Sequence, residues 1–243
     1  MSAAPPPARG LASPGVPPEG VRAMFGRIAP RYDLGNLLLS FGRDRAWRRV
    51  AARAAGLRAG ARALDVCAGT GDLAFAIERR GGAVFALDFC PEMVRLGVAK
   101  ARARRSTVRF VTGDALSLPF QSGAFDAVAV AFGLRNLADP QAGLAEMARL
   151  LAPGGRLVVL EFVRPGRGPF AALYRAYARR VLPAIGGWIT GRREAYEYLP
   201  RTVLRFGDPA ALARAVGEAG CEAVRCRTLT GGIVACVEGV RRP

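Results

Sequence analysis

The sequence predicts an α/β protein built on a doubly wound, mainly parallel sheet. First, short apolar segments typical of strands alternate with segments typical of helices between residues 63 and 162. Second, LDVCAGTG at residues 64–71 has the pattern of a buried strand that enters a tight glycine turn and then a helix. Third, 243 residues, 51% of them hydrophobic, suffice for one sizeable core but not for two ordinary domains plus a tail.

Seven strands are predicted, with helices in the intervals between them. They span residues 63–67, 83–88, 108–112, 127–131, 156–162, 222–228 and 232–238. The last two follow a helix at 209–220 and form a hairpin. In open parallel sheets a ligand binds outside the carboxyl ends of the strands, so we expect the site at that edge.

The remaining segments suggest how the domain is organised. Residues 1–20 contain six prolines, few charges and no apolar core of the kind a signal peptide needs, so they are predicted to be a disordered tail. Residues 21–243 form a single domain. Within it, 21–56 read as a helical cap that Pro30 and Gly42 divide into three helices, and 166–200 as a helical insertion covering the sheet's carboxyl edge. No window is apolar for long enough to span a membrane.

Composition limits the classes of function. The chain has no histidine, and its five cysteines show no CxxC spacing, so we expect no metal site and reduced thiols. The formal net charge is +17, and 36 − 1 = 35 of the basic residues are arginine, since Lys100 is the one lysine. This excess fits either a genome rich in G and C or attraction to an anionic membrane. Aromatic residues are not interleaved with the arginines, which argues against nucleic-acid binding.

The glycine turn alone does not identify a cofactor. Gly69 and Gly71 remove side chains that would block a ligand, but dinucleotide dehydrogenases have such a turn as well, and Ala74 is permitted as the last position of GxGxxG. The glycine pattern is therefore also compatible with NAD as the cofactor. Three carboxylates lie at the ends of successive strands, at Asp65, Asp88 and Asp114. Carboxylates suit a ligand that has an ammonium group and ribose hydroxyls but no phosphate.

This acidic series resembles that of class I S-adenosylmethionine-dependent methyltransferases, which have a Rossmann-like fold. A narrower resemblance, to the menaquinone and ubiquinone C-methyltransferase family, covers residues 21–239. It is carried, in order, by RIAPRYDLGNLLLSFGRDRAWRR, AGTGDLAF, AFGLRN, LEFVRP, AYEYLP and LTGGIVA. The closer match is to the demethylmenaquinone branch. The resemblance implies methyl transfer from S-adenosylmethionine to a ring carbon of a polyprenyl quinol.

The resemblance also implies which residues bind the cofactor. They are Asp65, Gly69, Thr70, Gly71, Asp88, Asp114 and Ala115. Two positions depart from the family. Ala131 stands where a serine is frequent, which removes a hydrogen bond of about 1 kcal/mol, and Val237 stands where a histidine is frequent.

Catalysis at a ring carbon needs a proton to leave the quinol hydroxyl, so a general base should contribute. Without histidine, the candidates are a carboxylate, a tyrosine or a held water. We expect Asp72, Arg135 and Asn136 to order such a water and stabilise the phenolate, with Arg135 acting electrostatically. Other candidates for the quinol site are Tyr32, Asn36, Tyr196 and Tyr198, which are as well explained by core packing.

The insertion contains an amphipathic helix that the sequence explains in two ways. One face has Phe170, Leu173, Tyr174, Tyr177 and Val181, and arginines flank it. Such a helix either lies at a membrane surface or packs on the sheet. We expect a cytoplasmic protein, with peripheral contact to the inner face of the membrane if the first explanation holds.

Several alternatives remain open at this stage. They are a benzoquinol substrate of the ubiquinone pathway, a small-molecule methyltransferase of another pathway, and a non-catalytic relative. The sequence also leaves open whether the protein is a homodimer.

Overall fold

The computed structural model describes residues 11–13, 15–166, 168–181, 184 and 193–242. These residues build one seven-stranded sheet in the order β3-β2-β1-β4-β5-β7-β6. The strands are β1 (Arg62–Val66), β2 (Ala83–Asp88), β3 (Arg109–Thr112), β4 (Phe125–Ala131), β5 (Leu151–Phe162), β6 (Cys221–Leu229) and β7 (Val234–Arg241). Strands β1 to β5 are parallel, and β7 pairs antiparallel with β5 and β6. The predicted doubly wound, mainly parallel sheet is confirmed.

Helices cover both faces of the sheet and its carboxyl edge. They are α1 (Pro18–Ile28), α2 (Tyr32–Leu39), α3 (Arg43–Ala54), α4 (Asp72–Glu78), α5 (Pro91–Ala103), α6 (Pro140–Arg149), α7 (Pro169–Ala176), α8 (Arg193–Phe206) and α9 (Pro209–Glu218). Short 3₁₀ turns lie at Ala29–Arg31, Leu134–Asn136 and Thr230–Gly232, and a π-helical turn at Tyr177–Val181 follows α7. None of the described helices is long and apolar enough to cross a bilayer.

The central strands are buried on both faces, which explains their continuous apolar sequences. On one face, Leu64 and Val128 pack with residues of α6 and α9 in a cluster that we call the main core. On the other, the alanines of β1 and β4 belong to a second core with Trp47 of α3 and Leu73 of α4. Small side chains there let α3 and α4 approach the sheet closely. Each large apolar side chain buried in this way stabilises the fold by about 1.5–3 kcal/mol.

The sheet defines where a ligand can bind. The chain leaves β1 toward β2 on one side and enters β4 on the other, so the strand order reverses between these neighbours. Ligands of doubly wound sheets bind in the crevice at such a reversal, outside the carboxyl ends of the strands. The segments that follow β1 and β4 are therefore the ones to inspect for chemistry.

The cap forms as predicted, with small differences in its bounds. Pro30 lies in the 3₁₀ turn before α2, and Gly42, with a φ of 70°, precedes α3. The first helix begins at Pro18, before the boundary at residue 20 that the sequence suggested. Leu11 packs against the main core, and the Ala12 amide donates to the Phe206 carbonyl at 3.1 Å. Residues 1–10 and 14 of the predicted tail lie outside the described residues.

Other boundaries differ from the prediction as well, and the last strand, β7, spans Val234–Arg241 and not residues 232–238. Strand β5 begins at Leu151, five residues early, because the chain already pairs with Phe125 of β4 before the glycines at 154 and 155. The insertion contains α7, its π-helical turn and α8, and α8 continues through Pro200 to Phe206. Residues 167, 182, 183 and 185–192, which fall in the predicted insertion, lie outside the described residues.

Candidate active site

Three cavities meet where β1 and β4 end. The large cavity, of about 660 Å³, lies between the cap, the insertion and the strand ends, and Arg135 and Trp47 line it. The glycine-turn cleft runs past Gly69, Asp88 and Asp114. The Asp65 pocket lies beneath the turn. Tyr32 of the cap lines all three cavities, so its side chain lies at the point where they meet.

The glycine turn is held by the carboxylate of the last residue of β2. Asp88 Oδ2 accepts from the Gly69 amide at 2.7 Å, and Oδ1 accepts from the Cys90 amide at 2.8 Å. Burial raises the pKa of the Asp88 carboxyl above its ordinary value, although these amide donors act in the opposite direction. Gly71 begins α4 with a φ of 88°, and a Cβ there would lie 2.5 Å from the Phe110 ring. Glycine is thus required at this position.

Asp65 is a buried carboxyl group without a hydrogen-bond partner among the described residues. Its residue is 1% exposed, and neither carboxyl oxygen makes a hydrogen bond. Burial raises its pKa to about 8, although the nearby Ala74 amide and the Arg48 charge act in the opposite direction. A buried polar group in this state needs a specific explanation, such as a ligand that supplies the missing donors. Asp65 lines the pocket that bears its name, so a cationic ligand could reach it there.

The remaining predicted cofactor residues are distributed around the same space. Asp114 and Ala115 line the cleft, and Asp114 Oδ1 accepts from the Leu116 amide at 2.9 Å. Ala131 borders both the cleft and the Asp65 pocket. Thr70 differs in character: its hydroxyl donates to Asp33 at 2.6 Å and accepts from Lys100 at 2.9 Å. Its side chain therefore serves the protein's own hydrogen bonds.

Lys100 joins the cap to the glycine turn. Its ammonium group donates to Asp33 Oδ2 of α2 at 2.7 Å, to the Thr70 hydroxyl, and to Asp72 Oδ1 of α4 at 2.8 Å. Burial acts to raise the pKa of the Asp72 carboxyl, but the charge and hydrogen bond of Lys100 outweigh it, and the pKa is lowered. We call Asp33, Thr70, Asp72 and Lys100 the lysine clasp. Asp72 is ionised and engaged within this clasp.

Arg135 is held in a buried ion pair. Its Nη1 lies 2.7 Å from Glu161 Oε1 and also donates to the Phe132 carbonyl, while its amide donates to Glu161 Oε2 at 3.2 Å. Burial raises the pKa of Glu161, although the Arg135 charge counteracts this. The guanidinium Nε of Arg135 is buried and has no hydrogen-bond partner. Arg135 lines the large cavity, so its guanidinium group places a positive charge beside that cavity.

The FGLRN turn approaches the end of β1 closely. A Cβ on Gly133 would overlap the Cβ of Cys67, so a glycine is needed for this approach. Asn136 lines the cleft, and its amide oxygen accepts from the Tyr198 hydroxyl of α8 at 3.1 Å. The turn thus connects the strand ends to the insertion.

The structure brings two of the three predicted catalytic residues together: the side chains of Arg135 and Asn136 both donate to the Phe132 carbonyl, whereas Asp72 lies apart from them. Arg135 lines the large cavity, Asn136 the cleft, and Asp72 the Asp65 pocket, where Lys100 engages it. Of the other candidates, Tyr32, Asn36 and Tyr198 do line the large cavity. The side chain of Tyr196 lies outside the described residues. Val237 is fully buried in the main core, away from the residues that line the large cavity.

Aromatic rings form one wall of the large cavity. The ring centroids of Phe132 and Phe162 are 4.6 Å apart, and Trp47 meets both rings edge-on at 5.9 and 5.8 Å. The guanidinium carbon of Arg48 lies 5.3 Å from the centroid of the Phe132 ring, and that of Arg135 lies 5.6 Å from the centroid of the Phe162 ring. This wall combines apolar area with two positive charges, so it can accommodate a flat ring that carries an oxyanion.

Sequence reasoning missed several residues of this site. Glu161 is in the quoted LEFVRP segment, and a glutamate inside an otherwise apolar strand is a signal of a buried pair. The sequence distinguishes Lys100 only as the one lysine and does not indicate its contacts with Asp33 and Asp72. Trp47 and Arg48 are in the quoted cap motif, but their position on the cavity wall depends on how α3 packs, which no local pattern encodes.

Comparison with known proteins agrees with this geometry. Residues 15–241 match the model of the ubiE/COQ5 methyltransferase family. The chain belongs to this family. The demethylmenaquinone methyltransferase of Thermus thermophilus is 51% identical over 90% of this chain and all of that protein. The ubiquinone/menaquinone biosynthesis C-methyltransferase UbiE of a Geobacter species is 43% identical, over 92% of this chain and 97% of that one.

A solved structure supports the fold. The SAM-dependent methyltransferase of Aquifex aeolicus aligns with a TM-score of 0.55 at 19% identity, over 77% of this chain and 86% of that one. The predicted Rossmann-like methyltransferase fold is therefore confirmed, as is the predicted family. Family and fold imply S-adenosylmethionine as the methyl donor of this methyltransferase.

The residues present fit that donor. Its ammonium group needs an anionic partner, and the unpartnered Asp65 carboxyl offers one beneath the turn. Asp88 and Asp114 would receive the ribose hydroxyls and the adenine amino group, and Met93 and Leu116 give the cleft its apolar walls. When bound, S-adenosylmethionine supplies an electrophilic methyl group carried on a sulfonium ion.

We predict that S-adenosylmethionine affinity rises between about pH 6 and pH 7.5, where the cofactor's own amine stays charged. In the free protein Asp65, with a pKa of about 8, holds a proton that it must lose to pair with an ammonium group. Calorimetric titration at several pH values measures the effect. In Asp65→Asn the affinity should be lower at every pH, and its rise with pH should be smaller than in the wild type. An unchanged slope would show that Asp65 does not contact the cofactor.

We also predict that Lys100→Met weakens cofactor binding roughly tenfold, equivalent to about 1.4 kcal/mol. The substitution leaves Asp33 and Asp72 facing each other without the ammonium group, which should separate α2 from the glycine turn. Arg102→Met is the matched control, because it removes an exposed positive charge from the same helix. Equal affinity in the two variants would mean that the lysine clasp does not shape the cofactor site.

Proposed function

We propose that the protein transfers the methyl group of S-adenosylmethionine to a ring carbon of a polyprenyl quinol, with demethylmenaquinol as the acceptor. The observation that carries the proposal is Arg135, whose guanidinium group is fixed by Glu161 at the wall of a large aromatic cavity. That cavity adjoins the cleft that fits the cofactor, and Phe25, Tyr32 and Phe132 line both. The names of the relatives above support this choice of acceptor.

The cavity suits the acceptor ring. A naphthoquinol is flat and apolar, apart from its two hydroxyl groups, and the wall of Trp47, Phe132 and Phe162 offers edges and faces for it. The volume of about 660 Å³ is within the range of pockets that enclose most of a small ligand. Its polyprenyl tail would leave through the cavity mouth between the cap and the insertion.

Electrostatics can supply the activation that the ring needs. A ring carbon becomes nucleophilic when the neighbouring hydroxyl loses its proton, because the phenolate concentrates electron density on that carbon. Arg135 lines the cavity, as does Arg48 together with its ion-pair partner Asp44, and a positive charge within a few ångströms lowers the pKa of a bound hydroxyl. The guanidinium groups keep their own protons, so they stabilise the oxyanion and do not accept its proton.

Tyr32 fits the role of a hydrogen-bond donor to that oxyanion. Burial raises the pKa of its hydroxyl, although Asn36, Arg48 and Arg135 counteract this. The hydroxyl therefore keeps its proton at neutral pH and can donate where the cavities meet. Glu161 does not line the large cavity, and its carboxylate is engaged by Arg135. In this proposal the quinol proton passes to water.

The first experiment is methyl transfer from labelled S-adenosylmethionine, with demethylmenaquinol and the demethylated benzoquinol precursor of ubiquinone offered in parallel. Both quinols are presented in vesicles to the purified protein. We expect label in the naphthoquinol product. Label in the benzoquinol alone would move the acceptor to the ubiquinone pathway, and tight cofactor binding without either product would contradict the proposal.

The double variant Arg135→Met with Glu161→Gln tests the role of the guanidinium. We expect methyl transfer to fall by about 10²–10³-fold, the usual loss when a donor to a developing oxyanion is removed, with cofactor affinity within a few-fold. Both charges are removed together, because Arg135→Ala alone would leave Glu161 buried and unpaired, at a cost of about 3–5 kcal/mol. Thermal unfolding and cofactor titration verify the fold. Unchanged turnover would contradict the assignment.

A further inference from the structure

Exposed apolar side chains are concentrated on one part of the described surface. Seven large hydrophobic residues are exposed in the described part of the chain, and six of them lie in two segments. Leu34, Leu38 and Phe41 belong to α2 and the turn after it, and Phe170, Leu173 and Val181 to α7 and its π-helical turn. Phe41 is 77% exposed and Leu173 69%. We call these six residues the apolar rim.

The two halves of the rim are in contact. The Tyr177 hydroxyl donates to the Leu39 carbonyl at 3.1 Å, and the rings of Phe41 and Tyr177 lie 6.2 Å apart. Leu34 and Leu38 are four residues apart on α2, so they project from the same side of that helix. The rim is therefore one continuous surface made by the cap and the insertion.

The same surface surrounds the mouth of the large cavity. Phe41, Phe170 and Leu173 are exposed and also line the cavity. A ligand with a long apolar tail could thus occupy the cavity and leave along the rim without crossing a polar barrier.

The charges near the rim are positive. Arg43 is exposed and lines the cavity mouth, and Arg175 and Arg180 follow Leu173 on the insertion. Residues 29–47 and 168–181 contain two acids, Asp33 and Asp44. Asp33 is paired with Lys100, and Asp44 is buried against Arg48. An apolar surface bordered by arginines, with its acids neutralised, complements an anionic lipid bilayer.

We propose that the apolar rim is a docking surface for an anionic lipid bilayer, with Leu34, Leu38, Phe41 and Leu173 entering the headgroup region. This inference rests on the proposed function, because it gives the tail of the quinol a direct path from the bilayer into the large cavity. A second copy of this chain is the other candidate occupant. The arginines on this surface would repel their counterparts in a second copy, whereas anionic headgroups attract them.

The test uses the full chain and sedimentation with vesicles of phosphatidylcholine, alone or mixed with phosphatidylglycerol. We expect binding to the anionic vesicles and at least tenfold weaker binding by Leu34→Asp with Leu38→Asp. These two leucines do not line the large cavity. Val16→Asp is the matched control, since Val16 is the exposed hydrophobic residue outside the rim. Cofactor titration verifies that each variant is folded.

Activity separates this inference from the proposed function. The double leucine variant should methylate a quinol with a one-isoprene tail in solution at the wild-type rate, and should lose transfer to a long-tailed quinol in anionic vesicles. Equal vesicle binding by the variant and the wild type, or no wild-type binding, would overturn the docking surface. So would a wild-type dimer that the leucine substitutions dissociate. Vesicle binding that needs the rim, without transfer to any quinol, would support the surface and refute the proposed function.

Discussion

The buried ion pair of Arg135 and Glu161 is the constraint on which the site depends. Glu161 is fully buried near the end of β5 and accepts from the Arg135 amide, from Arg135 Nη1 and from the Phe162 amide. Removing two charges from water costs several kcal/mol per ion, and attraction offsets this only when hydrogen bonding is nearly complete. The pair therefore fixes the 3₁₀ turn after β4 against β5. Phe162, next to Glu161 in sequence, and Phe132, whose carbonyl accepts from Arg135 Nη1, are fixed with it.

A second buried carboxyl group, that of Asp65, has the opposite hydrogen-bonding environment. Glu161 has three donors within the protein, whereas Asp65 has none in the described structure. The difference assigns Glu161 to the scaffold and leaves Asp65 for a ligand. Without a ligand, Asp65 destabilises the fold at neutral pH. Its folded pKa of about 8 exceeds the ordinary 3.8, so the folded state binds more protons, and stability falls as pH rises between these values.

The sequence predicted the fold well, because the strands are short apolar runs bounded by polar residues, glycine or proline. The strand at 83–88 was predicted to the residue, and β1 within one residue. The site was predicted less completely. Asp65 and Asp88 could be located, since strand ends share one edge of a sheet. The partner of Asp72 could not, because Lys100 approaches from α5, and the pairing of Glu161 with Arg135 joins residues 26 positions apart.

The amphipathic helix shows why a period of 3.6 residues does not identify what an apolar face contacts. Residues predicted to share one face have different environments: Tyr174 packs partly against the core beneath α7, while Phe170 and Leu173 are exposed. The cap has the same division, since Tyr32 reaches the cavities and Leu34 faces outward. Both segments therefore use one edge to close the active site and another to present apolar surface. The proposed lipid-docking surface and the proposed quinol cavity are thus built from the same two segments, so a movement of either would alter both.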